Sequence, residues 1–273
     1  MYDFALLTVT NDAGVLTAVI DNPPINLITP ELFKELAGFA ATAAEDPEAR
    51  VVVLRSANPD FFLAHFDVSA ILKFPIDTPA ARDSELKAYH LMCETFRTMP
   101  KPTICEIAGR VGGGGGELSA SCDMRFGAVG RTILCQMEVP LGILPGGTGT
   151  QRLPRMVGRG PAMEIVLGGD DIDAMTLERW GWLNRAFPPG ELTPFVDRFA
   201  RRLARMSPEA IALAKASVLA ATPDPVPGLL EEAYLFQQSL RIPDTMDRMA
   251  RFLDIGGQTP EGELRVGELG GEI

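Results

Sequence analysis

The chain has 273 residues, 46% of them hydrophobic and 22% charged, with a net charge of −11 at pH 7. That is enough for one large domain, or one domain with a small appendage, of ordinary globular composition. The acidic balance argues against broad binding to nucleic acid or anionic membranes, and no run approaches the ~18 apolar residues of a membrane span.

The N-terminus starts acidic, Met1-Tyr2-Asp3-Phe4, without the basic-then-apolar layout of a signal peptide. The C-terminus, Gly270-Gly271-Glu272-Ile273, carries no peroxisomal or retention signal, so a cytoplasmic protein is expected. Residues 15–20 read as a strand, ended by Asp21-Asn22-Pro23-Pro24. Thr29 and Pro30 then mark an N-cap and first helical position, and the helix is expected to run through an Ala-rich stretch to about Glu45. Residues 51–55, Val-Val-Val-Leu-Arg, form a continuous apolar strand of the kind covered on both faces. This β-α-β alternation predicts an α/β protein with a mixed or parallel sheet.

Residues 67–74 are expected to form a short helix, and residues 82–99 a longer one with apolar positions at Leu86, Tyr89, Cys93 and Phe96. Next comes the most informative stretch, residues 103–123. It reads as a strand, a five-glycine turn at residues 112–116, and a helix that opens on Glu117. Such glycines leave backbone N–H groups uncovered, and donors at a helix N-terminus favour negative charge. The spacing excludes a G-x-G-x-x-G turn, because residue 117 is Glu, and excludes a P-loop, because no Lys-Ser/Thr pair follows. The turn is therefore either an oxyanion-binding loop with an acid/base group attached or a tight strand-to-helix turn capped by a glutamate.

A strand at residues 125–129 leads to a second glycine-rich loop, residues 140–149, and from Pro161 onward the pattern is mostly helical. The Gly- and Glu-rich tail from Gly256 is expected to be mobile or to pack on a neighbouring subunit. Cys93, Cys105, Cys122 and Cys135 contain no C-x-x-C pair and read as buried free thiols. With only His65 and His90 as histidines, no metal site is expected.

Several segments in order resemble the crotonase (enoyl-CoA hydratase/isomerase) superfamily. They are Asn22-Pro23-Pro24-Ile25-Asn26-Leu27, Phe61 to Asp67, Lys101-Pro102-Thr103-Ile104 with Gly113 to Leu118 and Cys122-Asp123, Gln136 to Leu153, and Ser207-Pro208 through Lys215. The resemblance implies a crotonase-like ββα spiral core over residues 1–200 and a helical C-terminal trimerisation region over residues 201–273. It implies an acyl-CoA thioester as substrate, no cofactor beyond the coenzyme A of that substrate, and a homotrimer or dimer of trimers. Carried over position by position, it implies an oxyanion hole from the backbone N–H groups of Phe66 and Gly114. It places Glu117 and Glu138 as a catalytic pair that adds water across a 2,3 double bond. It also implies substrate binding by Ala64, His65, Asp67, Val68 and Gly113. The alternatives are an isomerase, a hydrolase, a C–C lyase or a non-catalytic acyl-CoA-binding protein.

Several positions depart from the family pattern, Ala108 in place of a frequent Asn among them. His65 stands where glycine is usual, either accommodated beside the acyl-CoA groove or as a third polar group reaching the acyl chain. Gly112 replaces a bulky residue, which would loosen the loop or open the pocket. Glu106 lies in an apolar strand and needs a partner, with Arg125 or Arg110 expected.

Overall fold

A computed structural model of the protein describes residues 2–188 and 190–273. Ten strands form two sheets. The larger contains β1 (Leu7–Asp12), β2 (Val15–Ile20), β3 (Val51–Ser56), β5 (Thr103–Ile107), β7 (Met124–Ala128) and β10 (Arg185–Phe187), in the order β1-β2-β3-β5-β7-β10. The smaller contains β4 (Phe61–Leu63), β6 (Arg110–Gly112), β8 (Ile133–Cys135) and β9 (Ile172–Asp173), in the order β4-β6-β8-β9. From β3 to β8 the chain alternates between the sheets. Each pass adds one parallel strand to each, and helices carry it back.

The helices of the first half are α1 (Pro30–Glu45), α2 (Val68–Ile71), α3 (Ala88–Thr98) and α4 (Gly113–Ser121). They are followed by α5 (Gly149–Val157), α6 (Arg159–Gly168), α7 (Ala174–Trp180) and α8 (Leu192–Ala204). The C-terminal set is α9 (Pro208–Leu219), α10 (Val226–Ser239), α11 (Thr245–Asp254), α12 (Pro260–Glu263) and α13 (Val266–Gly270). The start of α1 follows directly from sequence: Thr29 accepts the N–H of Leu32, and Pro30 has no donor to lose. Its buried stripe, Leu32, Leu36, Phe39, Ala40 and Ala43, packs into the main core with Leu16, Val52, Leu54 and Phe96. The divide expected near residue 200 falls inside α8, which packs against β3, β5 and β7.

Three expectations are corrected and one strand is added. β1, which the sequence does not mark, pairs antiparallel with β2 but exposes most of its residues, so it lacks a clean apolar alternation. The helix expected from residue 82 begins only at Ala88. Glu106 pairs neither with Arg125 nor with Arg110. Its Oε2 takes the Arg55 Nε–H at 2.8 Å and its Oε1 takes the Thr193 hydroxyl at 2.6 Å. The tail from Gly256 packs on its own chain: Val266 and Leu269 share a buried cluster with Val68, Ile71, Met137 and Ile143.

The glycine-rich stretch is also not a turn that precedes a helix. Gly113 to Gly116 are themselves the first turn of α4. Only Gly113, at φ 42°, uses the left-handed region. The others are needed for close approach. A methyl group at Gly115 would meet Leu63 Cβ at 2.6 Å, and one at Gly116 would meet Gln136 Oε1 at 2.5 Å. Leu63 cannot yield, since its carbonyl oxygen also stands 2.6 Å from that methyl position. Gly115→Ala is therefore expected to destabilise the protein by about 1–3 kcal/mol, measured by urea unfolding, despite alanine's better helix propensity.

Candidate active site

Two buried carboxylates come from different elements. Glu117 lies in the second turn of α4 and is 4% exposed. Glu138 lies shortly beyond β8 and is 8% exposed. Glu117 Oε1 accepts two backbone N–H bonds, from Gly147 at 2.8 Å and Gly149 at 2.7 Å. The turn that presents both amides to one oxygen holds Thr148 at φ 126°, a strained conformation of the kind found at functional sites. The Gln136 side-chain amide stands 3.5 Å from Glu138 Oε2.

Both carboxylates line one groove of about 490 Å³, together with Phe66 and Gly114. A methyl group added at Gly114 would lie 3.5 Å from the Phe66 nitrogen, so the two backbones are close neighbours. Neither the Phe66 N–H nor the Gly114 N–H meets an acceptor among the described residues. For Gly114 the reason is its place in the first helical turn, where N–H groups have no intrahelical partner. The rest of the groove is mainly apolar, lined by Phe33, Phe74, Tyr89, Ile143, Leu144 and Phe236.

The family model described as enoyl-CoA hydratase/isomerase matches residues 10–253. The chain belongs to the enoyl-CoA hydratase/isomerase family. A candidate enoyl-CoA hydratase from Streptomyces avermitilis superposes with a TM-score of 0.91 at 37% identity, over 99% of this chain and 98% of that one. The crotonyl-CoA hydratase of Syntrophomonas wolfei is 33% identical over 196 residues, 71% of this chain and 73% of its own. The short-chain-enoyl-CoA hydratase of Clostridium acetobutylicum is 29% identical over 244 residues, 88% of this chain and 92% of its own. The two-sheet core with its appended helices is the architecture of this family.

Within that family scaffold, Phe66, Gly114, Glu117 and Glu138 meet at one groove. The five positions expected to bind substrate do not line it. Ala64 and His65 border a separate small cavity with Arg110 and Glu263. The Asp67 side chain caps α2, and the Val68 N–H donates to Gln258 Oε1. A methyl group at Gly113 would point at His65 Cβ, 2.7 Å away, and at Glu138 Oε1, 2.8 Å away. His65 is therefore not among the residues that line this groove. Its ring turns to Glu263, at 3.0 Å.

Two further residues at the site gave no signal in the sequence. Tyr89 read only as an apolar helix position, yet its hydroxyl donates to the Gly114 carbonyl at 2.8 Å. Glu232, 1% exposed, accepts the Thr150 N–H at 3.0 Å and stands 3.1 Å from His90 Nε2. Gly147 and Gly149 sat in a loop already marked by its glycines, but its target was not legible.

Burial dominates the electrostatics. It holds the Glu117 carboxyl well above the usual carboxylate range, and repulsion from Glu138 and Glu232 adds to it. The Gly149 and Gly147 amides oppose that shift without cancelling it. Burial likewise pushes Glu138 up to about 7, against the pull of its own backbone N–H and of His65. Burial thus favours the protonated form of both carboxyls, and groups that interact in this way titrate together.

Folding raises the Glu138 carboxyl from 4.5 to about 7, so between those pH values the folded form keeps a proton that the unfolded chain has lost. Stability therefore falls as pH rises through this window and levels off above it. Glu138→Gln is expected to flatten this decline by about 3 kcal/mol, read from urea unfolding at pH 4.5 and pH 8. An unchanged decline would mean that Glu138 ionises freely in the fold.

Proposed function

We propose that the chain is an enoyl-CoA hydratase that adds water across the 2,3 double bond of an acyl-CoA thioester. The observation that carries this reading is the meeting of two protonatable carboxyls and two unpartnered backbone N–H groups at one apolar groove. The thioester carbonyl oxygen would sit between the Phe66 and Gly114 N–H groups. Attack by water at C3 moves the double-bond electrons toward that oxygen and creates an enolate. Two fixed donors at the developing charge lower the barrier, and one such donor is typically worth about 10²–10³ in rate.

Glu117 and Glu138 are assigned the proton transfers. The ionised member takes a proton from water as the C3–O bond forms. The neutral member gives its proton to C2 as the enolate collapses, and the exchange leaves the pair with its original single charge. A carboxyl at about 7 suits both duties at neutral pH. Coenzyme A enters as part of the substrate, and the step calls for no other cofactor.

Self-association is part of the proposal, as a homotrimer or a dimer of trimers. Helix α9 buries no residue within the protomer, and Leu213 and Val218 are exposed on it. Apolar exposure of that kind marks an interaction surface. No helix among the described residues is long and apolar enough to cross a membrane. All four cysteines are buried free thiols, as a reducing compartment maintains, and the cytoplasm is the proposed location.

Loss of the enoyl-thioester absorbance over a series of chain lengths, with a product heavier by one water, tests the reading. Glu117→Gln and Glu138→Gln are each expected to lose at least ~10²-fold in kcat while remaining folded. A folded wild-type protein that turns over none of the series would sink the proposal, and a product of unchanged mass would redirect it to isomerisation.

A further inference from the structure

The two peptide groups that flank the Phe66 Cα carry four polar groups, and three are tied down. The His65 carbonyl accepts the Ile28 N–H at 2.9 Å, and the Asp67 N–H donates to the Ile28 carbonyl at 3.1 Å. The Phe66 carbonyl lies 2.8 Å from His65 Nδ1. The Phe66 N–H alone has no acceptor among the described residues. Its direction is therefore fixed by the bonds its neighbours make.

One of those bonds leads to the far end of the chain. His65 Nε2 stands 3.0 Å from Glu263 Oε1, while Nδ1 faces the Phe66 carbonyl. Both ring nitrogens face oxygen acceptors, and only an imidazolium can donate from both. Glu263 Oε1 also accepts the Gln258 N–H at 2.9 Å, as a carboxylate would. The Gln258 side chain grips the next residues: its Oε1 takes the Val68 N–H at 2.7 Å, and its Nε2 donates to Asp67 Oδ1 at 3.1 Å. His65 and Glu263 are 4% and 3% exposed. The electrostatics agree with an ion pair: Glu263 raises the His65 pKa against its burial, and His65 holds Glu263 low.

We infer that the C-terminal turn at residues 258–263 sets the direction of the Phe66 N–H, with His65 and Glu263 as positioning residues for the reaction. The inference rests on the oxyanion reading of Phe66 given above. A buried ion pair is a poor source of net stability, because desolvating two charges offsets their attraction. What it supplies here is geometry. The imidazolium holds the Phe66 carbonyl, the carboxylate holds the imidazolium, and the peptide on the other side of Phe66 is left with one free donor. A backbone amide has no side chain that substitution could tune, so its aim must come from such neighbours. A donor that swings away from the thioester oxygen loses its advantage in the transition state before it costs ground-state affinity.

The test uses Glu263→Gln and His65→Ala in the full chain. Both are expected to lower kcat roughly tenfold while KM for a short enoyl-CoA stays within about twofold. The second readout is the absorbance of a bound aryl-conjugated enoyl thioester. Its red shift reports how strongly the carbonyl is polarised, and both variants are expected to diminish it. If either variant fails to fold, Gln258→Ala loosens the same turn while keeping the ion pair, and is read the same way. Wild-type kcat and an undiminished red shift in the folded variants would overturn the inference, as would KM and kcat shifting together with the melting temperature. A wild-type protein with neither turnover nor red shift would instead remove the oxyanion reading, and this inference with it.

Discussion

The first turn of α4 lies so close to residues 63–66 that no side chain fits between them. A methyl group at Gly113 would meet His65 Cβ, one at Gly115 would meet Leu63, and one at Gly114 would stand 3.5 Å from the Phe66 nitrogen. This contact places two backbone N–H groups from separate elements beside each other, and nearly everything else at the site follows from it. Helix α4 must begin there, so its first-turn donors have no intrahelical partner. One turn further on, Glu117 is carried into the same groove. A larger residue at Gly115 would push the helix from Leu63 of β4.

The groove concentrates negative charge that the chain does little to neutralise. Glu117, Glu138 and Glu232 are all buried; Glu138 and Glu232 raise the Glu117 carboxyl, and Glu232 raises that of Glu138. Structural needs alone would favour apolar residues at such positions. The chain instead fixes Glu117 with two amides from a strained turn, and burial disfavours ionisation of both carboxyls. The raised Glu138 carboxyl costs stability near neutral pH and, under the proposed function, serves to hold and release a proton. His65 and Glu263 solve the opposite problem, since there the charges are paired and the proton stays in place.

The C-terminal helices belong to the site rather than to an appendage. Phe236 and Leu240 wall the groove, the charge of Glu232 raises the Glu117 carboxyl, and Glu263 reaches the loop of Phe66. Glu232 is anchored by His90 of α3 and Thr150 of α5, so α10 is fastened to both helices.

By itself the sequence determined the elements whose causes are local. Thr29-Pro30 starts α1, the Val51 to Leu54 run is a buried strand, and Ser207-Pro208 starts α9, where Ser207 accepts the Ala210 N–H. Caps, proline and apolar runs act within one turn or one strand, so they can be read in a window. Family likeness in ordered motifs also singled out Phe66, Gly114, Glu117 and Glu138. What only the tertiary structure decided were partners far apart in the chain. Arg55 rather than Arg125 meets Glu106, the tail folds inward, and His65 turns away from the groove to a glutamate 198 positions later. Each of these depends on which buried surfaces touch once the sheets and helices have packed. A buried charge takes whatever partner that packing brings within hydrogen-bond reach, and no spacing along the chain encodes it.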